Sequence, residues 1–190
     1  NKGVYASHIR NEENQAVEAV NEAINIGKEA SIPVQISHFK IGGRSNWGKS
    51  DITLNLVKEA RENGWDVTID QYPYTASSTN LGIRLPDWAF AGGNDSLKAR
   101  LNNPLIRAQI KKEMLAQLSG YKFPNYSYAV VANYPSDTSM NGKNISEINK
   151  LMGRKAKAKY EAETIMDMVE KGGAQMVYNS MNEVDVKNIM

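Results

Sequence analysis

Pro33-Val34-Gln35-Ile36-Ser37-His38-Phe39-Lys40 decides the fold, because its first five residues read as a short strand and a histidine follows at the strand's C-terminal end. Upstream of it, residues 11 to 31 carry Ala16, Val17, Val20, Ala23, Ile24 and Gly27 at helical spacing. Before that helix, Gly3-Val4-Tyr5-Ala6-Ser7 reads as another strand, and His8 follows it. Downstream come a Gly-rich loop, Gly42-Gly43-Arg44-Ser45-Asn46-Trp47-Gly48, and a helix capped by Ser50 with Leu56, Val57 and Ala60 on one face. That helix stops near Gly64, and residues 65 to 70 form a third strand. Strands separated by single helices predict parallel βαβ units with right-handed crossovers, so the fold class is α/β.

Further along, Gln71-Tyr72-Pro73-Tyr74-Thr75-Ala76-Ser77-Ser78-Thr79 is polar, contains proline and is too long for a tight turn, which predicts a functional loop. Residues 94 to 118 predict two helices broken at Asn103-Pro104, and residues 126 to 133 a fourth strand. After a polar loop over 134 to 143, helices are expected over 146 to 152 and 156 to 171. A short strand over 175 to 178 and a last helix capped by Asn182 complete the chain. The expected organisation is one domain over 1–190. Residues 1–80 make a βαβαβ core that carries the site, and 81–190 a helical insertion with a remaining βα segment.

Composition narrows the function. The 190 residues hold 23 Lys and Arg against 21 Asp and Glu, interspersed rather than blocked, which gives no electrostatic case for nucleic acid. No window approaches the roughly 18 apolar residues of a membrane span, so no membrane partner is expected. With no cysteine, neither disulfides nor thiolate ligands arise within this sequence. The opening Asn1-Lys2-Gly3-Val4-Tyr5 has no signal-peptide character and already leads into a strand, so the expectation is a piece of a larger fold. A cytoplasmic location is expected, or a periplasmic or secreted one if a signal lies upstream.

The chemistry rests on an internal echo. Ala6-Ser7-His8-Ile9-Arg10 and Ile36-Ser37-His38-Phe39-Lys40 each end a predicted strand, and they contain the two histidines of the chain. A βα repeat of this length sets His8 and His38 side by side at the C-terminal ends of adjacent parallel strands, where barrel enzymes gather reactive groups. Two imidazoles there suit Zn2+, which takes neutral histidine nitrogen and keeps an open position for water. A satisfied structural histidine is the plain alternative. The Gly42-Gly43 loop lacks the Gly-Lys-Ser/Thr ending of a phosphate loop and is discounted as one.

Three runs in order, Tyr5 to Glu12, Pro33 to Lys40 and Asp70 to Thr79, resemble the N-acyl-D-amino-acid deacylase (D-aminoacylase) family of the amidohydrolase superfamily. Asn46-Trp47-Gly48, Leu85-Pro86-Asp87-Trp88, Gly142-Lys143 and Met176-Val177-Tyr178 add to the resemblance. It implies part of a metal-dependent (β/α)8 TIM barrel, roughly barrel strands five to seven and the segment that follows, acting on small-molecule N-acyl-D-amino acids with zinc as cofactor. In that reading His8 and His38 are the metal ligands ending strands five and six, and Lys40, Tyr72 and Ser78 hold the substrate carboxylate and polar groups, although Ser77 could take the place of Ser78. Arg10 and Glu12 contact each other or orient His8, and Asp70 is an orienting or structural residue.

The sequence also departs from the family, which has a His-x-His pair on strand one, a cysteine ligand and a general-base Asp from strand eight. None of these is here, and the Asp is expected beyond Met190. The resemblance therefore implies that this chain alone catalyses nothing appreciable. A partial barrel would leave open edges and an apolar face, from which self-association is expected. The alternatives are a non-catalytic α/β binding module with vestigial metal ligands, and another amidohydrolase such as a dihydroorotase-like enzyme.

Overall fold

The computed structural model describes residues 3 to 190, which group into two compact units. The first comprises the chain up to Thr75 together with Ser180–Met190, and the second Ala76–Asn179.

In the first unit, β1 (Tyr5–Ser7), α1 (Ala16–Ala30), β2 (Val34–Ile36), α2 (Ser50–Glu62) and β3 (Val67–Ile69) follow the predicted order. The strands pair in parallel as β1-β2-β3, with Ala6 opposite Gln35 and Gln35 opposite Thr68. Val34, Ile36 and Val67 turn to the other face and bury against Ala19, Val20, Ala23 and Ile24 of α1 and Leu54, Val57 and Ala60 of α2. Gly27 lets α1 close onto β2, since a Cβ there would sit 2.1 Å from Val34 Cγ2.

The helices end as their chemistry requires. Asp185, 1% exposed on α7 (Glu183–Ile189), accepts the amides of Gly48 (2.8 Å) and Ser50 (3.2 Å) and so caps α2 from a distant part of the chain. Asn182 caps α7 as expected, accepting from the Val184 amide at 2.9 Å. The expected apolar free face of the sheet is not what the strands present. Ala6, Gln35 and Thr68 form a small, polar row there, because the register sets them opposite one another and strand alternation turns them away from the helices.

The second unit departs from parallel α/β order. Residues 77 to 80, read from sequence as loop, form β4 (Ser77–Asn80). With β5 (Ala129–Asn133) and β6 (Gln175–Tyr178) it makes an antiparallel sheet in the order β4-β6-β5. A run of Ser and Thr with no apolar alternation gives no strand signal of its own, so its pairing comes from β6. Helices α3 (Gly93–Asn102) and α4 (Pro104–Gly120) break at Asn103, which accepts from the amides of Leu105 and Ile106. Helix α5 (Ile145–Leu151) starts with a capping box between Asn144 and Glu147, and α6 (Ala158–Glu170) packs Ile165 and Met166 into the core with no exposure.

An ion-pair network ties α4 to α6. Arg107 bonds Glu163 (2.8 Å) and Asp167 (2.5 Å), and Lys111 bonds Glu163 (2.6 Å). Burial pushes the Glu163 carboxyl up, but the hydrogen bonds and charges of Lys111 and Arg107 outweigh it and hold the group below its ordinary 4.5. A carboxyl depressed in the folded state adds stability above its unfolded pKa and gives it up as pH falls through the folded value. Urea midpoints followed from pH 6 to pH 3 should therefore drop on the acid side of about 4.5, and Glu163→Gln should flatten that drop. A slope identical in the variant would remove Glu163 as its source.

Candidate metal and substrate site

The first unit brings most of the predicted residues together at the C-terminal end of its sheet. His8 follows β1 and His38 follows β2, the chain being held in register there by Ser37 N–H donating to Ser7 O at 2.9 Å. The two rings stack with centroids 4.4 Å apart and 16° between planes, and His8 Nδ1 lies against His38 Nε2. Two imidazole nitrogens from adjacent strands thus meet at one point.

His38 reaches this pose with φ of 41°, left-handed backbone that a residue with a Cβ adopts only under constraint. Asp70, just past β3, supplies a constraint: its Oδ1 accepts the His38 amide at 2.6 Å. On the far side of the ring, His38 Nδ1 is 2.9 Å from Glu12 Oε1. Lys40 Nζ lies 2.7 Å from the same nitrogen, so carboxylate and ammonium compete for Nδ1, while Nε2 is the nitrogen that faces His8. Burial first, and then the Lys40 ammonium, lower the pKa of His38 and favour the neutral imidazole, against the opposing pull of Glu12.

Lys40 is buried at 7% exposure, and its Nζ donates to Glu12 Oε1 at 2.6 Å and His38 O at 3.1 Å. Burial lowers its pKa, while Glu12 pulls the other way. The ammonium lies 5.6 Å from the centre of the Tyr72 ring, and burial, followed by Glu12, pushes the Tyr72 hydroxyl up to about 12. Lys40 and Tyr72 therefore meet beside the histidine pair as one cationic and one hydroxyl donor.

Two expectations need correction. Arg10 does not meet Glu12 but pairs with Glu22 on α1, with both side chains well exposed. Glu12 orients His38 and Lys40, where the sequence suggested His8, because the chain after His8 turns back toward β2 and Gly42 N–H holds Glu12 O at 2.8 Å. Ser78 belongs to the second unit, exposed on β4 opposite Val177. The Gly-rich loop spends its amides internally, Gly42 on Glu12 and Gly43 on Ser180, so it is no anion cradle.

Neutral imidazole nitrogen is what Zn2+ accepts, and the facing pair fits two positions of its shell. No group of three His, Cys, Asp or Glu side chains that could hold a metal occurs among the described residues, so the pair stands one protein ligand short of the usual catalytic set. Among the described residues no helix is long and apolar enough to cross a membrane.

Comparison with known proteins bears out the resemblance read from sequence. Over 79 residues, 42% of this chain, it is 46% identical to the D-aminoacylase of Alcaligenes xylosoxydans xylosoxydans. Over 78 residues it is 42% identical to the N-acyl-D-glutamate deacylase of the same organism. Each match spans only 16% of the relative's length. A D-aminoacylase crystal structure said to define a novel subset of amidohydrolases aligns with 98% of the chain and 30% of its own, with a TM-score of 0.65 and 28% identity. The N-acyl-D-glutamate deacylase of Bordetella bronchiseptica, solved with zinc and a phosphonate mimic of the tetrahedral intermediate, aligns with 99% of the chain and 30% of its own. Its TM-score is 0.67 at 24% identity, a likeness of fold alone. No protein-family model matches the chain.

Proposed function

We propose that this chain is a segment of the catalytic (β/α)8 barrel of a metal-dependent deacylase that hydrolyses N-acyl-D-amino acids to a carboxylic acid and a D-amino acid. The observation that carries the reading is the pair of histidines ending adjacent parallel strands, with Nδ1 of one turned to Nε2 of the other. Support comes from sequence matches to D-aminoacylase and N-acyl-D-glutamate deacylase and from the fold shared with such enzymes.

His8 and His38 would hold zinc, which when bound polarises a carbonyl and makes hydroxide available near neutrality. Glu12 and Lys40 both reach Nδ1 of His38, so Nε2 is the nitrogen left to face His8. Lys40, a buried ammonium beside the pair, is placed to attract the carboxylate of an amino-acid substrate, and the Tyr72 hydroxyl, protonated well past neutral pH, adds a hydrogen-bond donor next to it. Further ligands and a general base have to come from elsewhere in the barrel.

The test is hydrolysis of N-acetyl-D-amino acids by the protein that carries this segment, with Lys40→Met as the diagnostic variant. Turnover of N-acetyl-D-amino acids over their L-enantiomers, with KM raised in the variant, is the expected result. Hydrolysis of neither enantiomer, or of cyclic amides instead, would overturn the reading in favour of a binding module or a dihydroorotase-like enzyme.

A further inference from the structure

The hydrogen bond from Asp70 to His38 does not stand alone. The second oxygen of Asp70 accepts from Gln35 Nε2 at 2.7 Å, and Gln35 Oε1 faces the Thr68 hydroxyl, whose one proton it shares with Val34 O at 3.1 Å. Gln35 and Thr68 sit opposite each other in the register of β2 and β3, on the face away from the helices. The chemistry fixes the direction of this chain. An ionised carboxylate only accepts, so the Gln35 nitrogen must face Asp70 and its oxygen must face Thr68.

From this geometry we infer that Gln35 is a positioning residue for the metal site: its carboxamide, aligned by Thr68, aims Asp70 at the His38 amide and so holds His38 in the left-handed conformation that turns Nε2 toward His8. The inference rests on the proposed metal role of His38. It adds a residue that touches neither metal nor substrate and acts through the backbone of a ligand rather than through its ring. Glu12 fixes the same histidine through Nδ1, so ring and backbone are held by separate carboxylates.

Gln35→Leu removes the donor, and Gln35→Glu sets a second carboxylate against Asp70. In the metal-free chain both should lower hydrogen-exchange protection of the His38 amide by roughly tenfold or more, with the urea midpoint little changed. Zinc affinity of the chain should fall by about 10–100-fold, the usual effect of losing an outer partner of a ligand. The double exchange Gln35→Glu with Asp70→Asn reverses donor and acceptor while keeping the geometry, and it should restore both protection and affinity.

Unchanged protection at His38 in both single variants would overturn the inference, as would unchanged zinc affinity, or a double exchange no better than Gln35→Glu alone. Failure of the unaltered chain to bind zinc counts instead against the metal pair itself, while the exchange data still decide whether Gln35 positions His38.

Discussion

Zinc titrated calorimetrically into the metal-free chain should bind, and the double substitution His8→Ala, His38→Ala should weaken that binding by more than about 100-fold. The bound is set by comparison: losing an outer partner costs about 10–100-fold, and these substitutions remove the donors themselves. Each single variant should lose most of the affinity, since one exposed imidazole is no better than a surface histidine. Binding should also weaken as the imidazoles become protonated, because the metal takes only the neutral form. Equal affinity in the double variant would place the metal elsewhere on the chain. No binding by the unaltered chain would mean that two strand ends do not make a site without the remaining ligands.

The parts legible in sequence were those in which local pattern and final structure agree. The strand run from Pro33 to Ser37 and the apolar stripe of α1 give the parallel sheet directly, and equal strand ends place His8 beside His38. Asn103-Pro104 broke the helix because both a cap and a missing N–H mark it. What stayed hidden depends on distant partners. Strand β4 is strand only because β6 pairs with it. Asp185 looks like one more surface acid, yet it closes α2 from far along the chain.

The site shows the same division. Residue type and spacing identified the ligand pair and placed Lys40 and Tyr72 near it, but not which carboxylate serves which nitrogen. That assignment depends on the turn after His8, which sends Arg10 to Glu22 and Glu12 to His38 and Lys40. Gln35 was open to finding. Strand alternation puts it opposite Val34 and Ile36, on the polar face that leads to Asp70, and a carboxamide there needs partners.

Ile36 offers the sharpest separation between the core and the site. It is fully buried at the centre of the parallel sheet, beside Gln35 in sequence but on the opposite face, and its carbonyl accepts the Asp70 amide at 3.2 Å. Ile36→Ala should destabilise the first unit by about 2–5 kcal/mol, and Ile36→Val by about 0.5–1.5 kcal/mol, through lost burial and the cavity left between sheet and helices. In a Trp88→Phe background the remaining indoles, Trp47 and Trp65, both report on that unit, so the urea midpoint of their fluorescence measures the effect. Because the substitution leaves the backbone hydrogen bond to Asp70 and the whole polar row intact, zinc affinity well below the transition should change less than the roughly tenfold minimum expected for Gln35→Leu. Opposite faces of one strand would then carry separable properties, stability on the helix side and ligand geometry on the other. An Ile36→Ala variant as stable as Ile36→Val would deny the close packing, and one that lost zinc affinity while still folded would show that the helix-side core, rather than the Gln35 network, sets the pose of His38.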